Sequence, residues 1–562
     1  MLRRSLTRVG LLSFLGAAAC NSDGAGPTLP PCTAAGFAVS LAAGQYVAID
    51  PAPQSGCVVV PANGPADSAE YLLVPQLATG VPGMTSSYRL VGDTIRPAPP
   101  APAFSASSPP GLADLTPAER FHVFLRLGDE ARWRGLNPQV APGGGAAARS
   151  PAAPTGPPAL NSLRQFKACA TLTCSTFATV TAKVRAVKNK VAIYVDTLAP
   201  AGLDSAALDS LGALFDTRLY ATDTAAFGRE SDIDTNSVVL VLMTPVVNKL
   251  VTNTQCQATG FVAGFFFGAD LDPAFSNDAR SNKGEVFYSI VADPAGTLSC
   301  SHSTTSVQRL VPITFIHEFQ HMISYNQHVL VRGGAGEVLW LNEGFSHYAE
   351  ELGGRTYASG TPEFSRFTIG DLYNAYQYLD STQNHFLLPT AGIGSLAERG
   401  AAWLFVRYLV DRYAADTTVA AWNVFTRQLL ATTDVGAQNV ANRTGDSFTT
   451  VVTRWALANW VSDLPGFTAP TALKYDSWNF RTTYASLNAQ DNVHFPKTFP
   501  LTPTSSAGRT VSLTGTLRAG SGVYHRAFQA PSAPGFTLLF GTSGGGPLNP
   551  GLVPRLNVIR IR

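Results

Sequence analysis

Short stretches of alternating apolar and polar residues open and close the chain, and longer stretches with a helical period fill its middle. Between residues 36 and 96 the segments Phe37-Ala-Val-Ser, Tyr46-Val-Ala-Ile, Cys57-Val-Val-Val, Tyr71-Leu-Leu-Val and Tyr88-Arg-Leu-Val alternate with turn residues, which predicts a small β-sandwich. Residues 97–160 are rich in Pro, Ala, Gly and Ser and read as a linker or pro-segment, interrupted by one amphipathic helix from Thr116 to Trp133. From about residue 161 the pattern lengthens to a strand at Val191-Ala-Ile-Tyr-Val, a helix from Ser205 to Tyr220 and a very apolar strand at Val238-Val-Leu-Val-Leu-Met. Residues 302–460 are mainly helical in period, most clearly at 312–328, 339–352, 397–413 and 446–461. After about residue 491, strands such as Thr510-Val-Ser-Leu and Phe536-Thr-Leu-Leu-Phe alternate with Gly and Pro turns, which predicts a second β domain. The expected class is α+β: a leader at 1–19, small all-β domains at 20–96 and 491–562, and a mixed domain at 161–490 beyond the 97–160 linker.

Composition narrows the classes of function. With 562 residues and 45% hydrophobic content the chain can bury several cores, so it is not a solvated, disordered polymer. Charged residues are only 14%, the net charge is +2, and no basic cluster follows residue 8, so nucleic acid is not an expected partner.

The first twenty residues carry an address. Arg3, Arg4 and Arg8 precede an uncharged run from Val9 to Ala19, too short to span a bilayer, and the small residues Ala17 to Ala19 end at Cys20. The segment resembles a bacterial lipoprotein signal, which implies lipidation of Cys20 and a place in the cell envelope, at the outer membrane or cell surface. An ordinary secretory leader is the alternative. Seven cysteines less Cys20 leave an even set suited to disulfides in an oxidising compartment. The most local pairing joins Cys32 with Cys57, Cys169 with Cys174, and Cys256 with Cys300.

The chemistry concentrates at His317-Glu318-Phe319-Gln320-His321. Residues i and i+4 of a helix lie one above the other, so His317 and His321 present two imidazoles from one face, with Glu318 about 100° around the axis. Ile316, Phe319 and Ile323 give the helix an apolar stripe to bury. A catalytic zinc ion needs a third protein ligand and an open position. The compact H-E-x-x-H-x-x-G-x-x-H pattern fails, because Ser324 and Gln327 stand where Gly and His would be; His328, one place late, reads as a surface or loop histidine. Glu343, 22 positions after His321, is the better candidate.

The segments H-E-F-Q-H-M-I-S-Y-N from His317 and W-L-N-E-G-F-S-H-Y-A-E-E from Trp340 resemble the gluzincin metallopeptidases, and most of all their hyicolysin-type branch. The resemblance reaches upstream through Ile193-Tyr-Val-Asp, Phe227 to Asn236, and Gly260 to Asp270, and covers about residues 185–460. It implies a gluzincin-like domain in which His317, His321 and Glu343 bind Zn2+, Glu318 is the general base, and proteins or peptides are the substrates. Aminopeptidases share the L-W-L-N-E-G-F string, but no G-x-M-E-N motif is present, so cleavage within chains is expected over trimming of ends. Where thermolysin has an Asp after its glutamate ligand this chain has His347, leaving Glu350 and Glu351 as candidates to orient a ligand. Tyr373, Tyr376, Tyr378 and His385 are the candidate transition-state donors.

Other signals carry less. Gly541-Thr-Ser-Gly-Gly matches a nucleophile elbow, but no histidine follows His525, so it reads as a turn. Asp232-Ile-Asp234-Thr-Asn236 is similar to the start of a Ca2+ loop without its later Gly and Glu, and a polar turn is the favoured reading. His122, His302, His494 and His525 stand alone in sequence and read as structural or solvent-facing. The leading expectation is a zinc endopeptidase on a lipid anchor. The alternatives are an aminopeptidase, or a surface polymer-binding lipoprotein whose peptidase-like domain is inactive. The sequence assigns no oligomeric state.

Overall fold

The computed structural model describes residues 32, 36–93, 116–135, 156–390 and 394–562; the leader, Cys20 and most of the expected linker lie outside them. Five strands, β1 (Phe37–Ala38), β2 (Tyr46–Ile49), β3 (Cys57–Val60), β4 (Ala69–Leu77) and β5 (Thr85–Gly92), precede helix α1 (Pro117–Gly135). Helix α1 begins where Thr116-Pro-Ala-Glu119 supplies a capping box. Thr116 Oγ1 accepts from the Glu119 N–H at 3.2 Å, and Glu119 Oε2 accepts from the Thr116 N–H at 2.8 Å. Phe121, Val123, Leu125 and Arg126 are buried against the body of the protein.

Strands β6 (Leu163–Cys169), β7 (Phe177–Val187) and β8 (Val191–Asp196) form an antiparallel meander. Helices α2 (Ser205–Leu214) and α3 (Tyr220–Phe227) then lead to β9 (Val239–Met243), which lies parallel to β8. Helices α4 (Pro245–Asn248) and α5 (Asn253–Thr259) precede β10 (Gly264–Phe266) and β11 (Val286–Ser289). The sheet order is β10-β11-β9-β8-β7-β6, so β9 is central and buried on both faces, which is why Val-Leu-Val-Leu-Met has no polar alternate. Strand β10 is antiparallel to β11 and forms one edge.

A helical layer follows: α6 (Thr304–Tyr325), α7 (Leu339–Arg355), α8 (Pro362–Asp380), α9 (Leu396–Tyr413), α10 (Val419–Leu430), α11 (Gly436–Thr444), α12 (Phe448–Val461) and α13 (Phe480–Gln490). Helix α6 starts earlier than its apolar period predicts because Ser303 caps it, its Oγ accepting from the Ser306 N–H at 3.0 Å. Two glycines set the close packing around α9. A Cβ on Gly344 would lie 2.9 Å from the Ala402 carbonyl oxygen, and one on Gly400 would lie 2.2 Å from the Asn374 carbonyl carbon. Glu351 cross-braces this layer, accepting from Trp403 Nε1 at 3.0 Å and Trp478 Nε1 at 2.9 Å and pairing with Arg407 at 3.3 Å.

The last strands, β12 (Thr504–Ala507), β13 (Ser512–Arg518), β14 (His525–Gln529), β15 (Phe536–Gly541) and β16 (Pro554–Arg560), correct the expectation of two separate β domains. They interleave with the first five in two sheets, β1-β3-β15-β5-β13 and β12-β14-β4-β16-β2. The physical reason is edge pairing: β4 finds neighbours only in β14 and β16, and β15 fills the place between β3 and β5. Strand β4 is buried throughout because Tyr71, Leu73 and Leu77 face the sandwich core while Leu72 and Val74 face the helical layer. Gln76, wholly buried on that second face, donates to the Gly520 carbonyl at 2.8 Å and accepts from Asn557 at 2.9 Å.

Three cysteine pairs stand at disulfide distance, Cys32 with Cys57, Cys169 with Cys174 and Cys256 with Cys300. Among the described residues no helix is long and apolar enough to cross a membrane. The cysteine pairs are consistent with an oxidising, extracytoplasmic compartment.

Candidate metal centre

Helices α6 and α7 bring two imidazoles and a carboxylate to one point. Glu343 on α7 places Oε1 3.3 Å from His321 Nε2 and Oε2 3.6 Å from His317 Nε2. The two imidazole rings lie 5.0 Å apart, centroid to centroid. Behind His317, Nδ1 meets Glu350 Oε1 at 2.7 Å, so Glu350 is the one of the two candidate orienters that contacts a site histidine, while Glu351 is engaged with Arg355, Arg407 and two tryptophans. The chain of polar groups continues through His347, whose Nδ1 is 3.1 Å from Glu350 and 2.8 Å from Asp371. On the other side, Ser346 Oγ stands 3.2 Å from His321 Nδ1 and donates to Gln320 at 2.6 Å.

This donor set fits zinc. Two neutral imidazole nitrogens and a carboxylate are its usual ligands in a catalytic site, and a carboxylate behind a ligand histidine is the usual support. Burial alone would hold His317 uncharged, but Glu343 and Glu350 outweigh it and raise its pKa to about 10. Burial likewise pushes Glu343 up, and His321 and His317 more than reverse the effect, holding the carboxyl well below the usual range. Glu343 and Glu350 thus set buried carboxylates at the two ring nitrogens of His317.

Glu318 lies beside these groups and is 1% exposed. Its Oε2 accepts from Arg126 Nη2 at 2.5 Å and from the Phe266 backbone N–H at 2.9 Å, while Oε1 faces His122 Nδ1 at 3.7 Å. Burial works to raise the Glu318 pKa, but Arg126 foremost, then the histidines, hold it below the ordinary value. Burial lowers the His122 pKa to about 4, so this imidazole is neutral at neutral pH.

Sequence reasoning therefore missed Arg126 and misjudged His122, which does not stand alone. The available signal was their i, i+4 spacing beside Phe121 and Leu125 on an amphipathic helix, the same stacking that joins His317 to His321. The four transition-state candidates are engaged elsewhere. Tyr376 accepts from the Lys497 N–H at 2.7 Å, Tyr378 meets Ser521 at 3.0 Å, His385 meets Ser381 at 3.2 Å, and Tyr373 packs on His494 and Phe495. Helix α8 turns the three tyrosines toward the C-terminal segments, while His385 lies beyond its end and bonds back to Ser381. His328 is not a surface residue; a π-turn at Asn326–Leu330 tucks it, fully buried, 3.9 Å from Glu337. Asp232 and Asp234 converge with Glu285, yet Asp234 Oδ2 already takes Asn236 at 2.7 Å and Arg164 at 3.4 Å, as a polar turn requires.

No protein-family model matches the chain. The neutral metalloprotease ShpI of Staphylococcus hyicus is 28% identical over 144 residues, 25% of this chain. The chain spans about 30% of the length of that relative. The similarity supports a relationship to metallopeptidases.

Proposed function

We propose that the protein is a zinc-dependent endopeptidase of the gluzincin type, with the hyicolysin-type branch as its nearest resemblance, acting on extracytoplasmic proteins or peptides. His317, His321 and Glu343 would hold the ion, and Glu318 is the general base. The observation that carries this reading is the approach of the Glu343 carboxylate to Nε2 of both α6 histidines, at 3.6 and 3.3 Å, beside Glu318. A zinc ion held there supplies Lewis acidity, polarising a scissile carbonyl and acidifying water so that it gives up a proton near neutral pH. Glu318, when its carboxylate faces water, accepts that proton and passes it to the leaving amine. Glu350 accepts the Nδ1–H of His317 and so keeps the Nε2 lone pair directed at the ion. Without a G-x-M-E-N motif to grip an amino terminus, cleavage falls within chains. Lipidation of Cys20 would hold the enzyme on the envelope, and the mass of the mature N-terminus tests that part.

The deciding experiment compares wild type with Glu318→Gln. Zinc is quantified, and cleavage of an unfolded protein and of terminally blocked peptides is followed before and after limited trypsin treatment. The reading requires about one zinc in both proteins and cleavage by wild type alone. A wild type that binds zinc and cleaves nothing in either state would favour the polymer-binding alternative. A strict preference for unblocked peptides would favour the aminopeptidase.

A further inference from the structure

The general base proposed above is not available to substrate in this structure. Oε2 of Glu318 holds a guanidinium at 2.5 Å and a backbone N–H at 2.9 Å, and Oε1 is faced by an imidazole. A guanidinium is charged at every accessible pH, so this contact occupies Oε2 at any pH and stands where water would reach the carboxylate. Both blocking side chains, His122 and Arg126, come from α1, in the Pro/Ala/Gly-rich stretch between β5 and β6.

Helix α1 is also seated where a peptide would lie. Strand β10 is the edge of its sheet, and Phe266, which opposes Phe287 of β11, turns its N–H to Glu318 and its carbonyl to Arg126 Nη1 at 3.4 Å. These are the outward backbone groups that an extended peptide would use on an edge strand. The Phe121 ring meets Phe265 edge-on at 4.9 Å, and Glu119 pairs with Arg399 of α9 at 3.3 Å, fixing the first turn.

We propose that α1 is a built-in stopper: residues 116–135 occupy the approach to the α6–α7 site, Arg126 caps the general base, and the enzyme is latent until the helix is displaced or excised. The fold permits excision. A cut within 94–115 and another within 136–155 release α1 alone, because β1 to β5 remain held by their pairing with β13 to β16. This inference rests on the peptidase reading for its meaning, but one of its measurements does not.

The test uses the zinc-loaded full chain as wild type, Arg126→Ala, Arg126→Lys and Phe121→Ala, together with a wild type carrying site-specific protease sites in 94–115 and 136–155 that is cut after folding. Two rates are read: cleavage of a terminally blocked, quenched peptide, and loss of zinc to a chelator, which a seated α1 should slow. Losing a buried charge-assisted hydrogen bond should accelerate both by about tenfold or more in Arg126→Ala. Arg126→Lys should fall between, Phe121→Ala should also accelerate both, and excision should give the largest gain. Faster zinc loss with no cleavage by any form would uphold the stopper and remove the peptidase reading. Both rates unchanged in Arg126→Ala and after excision would overturn the stopper. So would slower cleavage with unchanged zinc loss, which would make Arg126 part of the catalytic machinery.

Discussion

Glu350 accepts a hydrogen bond from His317 Nδ1 at 2.7 Å from a position seven residues beyond Glu343 on the same helix. Two turns of α7 therefore present both faces of one imidazole with carboxylates, Glu343 at Nε2 and Glu350 at Nδ1. Ser346 and His347 sit between them on the same stripe, against His321 and Asp371.

Glu350→Gln should keep the fold and the three ligands while weakening zinc binding by about 10- to 100-fold, the usual effect of losing a carboxylate behind a ligand histidine. Competition against a chromophoric chelator measures it. Affinity equal to wild type would show that Glu350 does not support the site.

Asp270 provides a pH signature away from the site. Burial raises its pKa to about 7, although Tyr288 and Asn282 donate to it. A carboxyl raised in the fold adds stability below its unfolded value of 3.8, and that stability is lost as pH rises through about 7. Asp270→Asn can keep the Asn282 bond and donate to Tyr288, whose hydroxyl can turn to the Lys167 carbonyl. The Tm of the variant relative to wild type should therefore climb between about pH 4 and 7 and level off above. A difference that stays flat across that range would contradict the assignment.

Gly400→Ala would drive a Cβ to 2.2 Å from the α8 backbone, which has no flexible end to move aside, and should destabilise by roughly 1–3 kcal/mol or more. Gly370→Ala is the matched control. It is exposed on α8 with open space around it and should stabilise by up to about 1 kcal/mol. Urea unfolding of both variants gives the comparison, and equal shifts would deny close α8–α9 contact.

Ending the chain at residue 503 removes both neighbours of β4 and the strand between β3 and β5. Amide exchange should then lose its protection across 36–93, even though every residue there is retained. Protection surviving in that segment would restore the two-domain arrangement.

Local periodicity made part of this structure legible. The i, i+4 spacing aligned His317 with His321, and the apolar pattern of Leu339 to Leu352 placed Glu343 on a second helix. Pattern reports which faces are buried and is silent on what covers them. Tyr376 and Tyr378 read from sequence as packing residues first and site candidates second, and only the setting of α8 against Lys497 and Ser521 gives them partners. The five N-terminal strands, and β13 and β15 near the other end, are legible one by one, but β12, β14 and β16 are not, and nothing in the alternation says that β4 belongs between β14 and β16. Arg126 was hidden for the same reason, since its partner Glu318 lies 192 positions away.

The interleaved sandwich also imposes an order of events during synthesis. Gln76 and Asn557, hydrogen-bonded neighbours, are 481 positions apart, so β4 must wait unpaired until nearly the whole chain has been made. The sandwich closes only with the final strands. Until then β3, β4 and β5 lack the partners that the final strands supply, so a prematurely terminated chain would expose open edges to aggregation and proteolysis. Full translation is thus built into the architecture as a condition for a stable molecule.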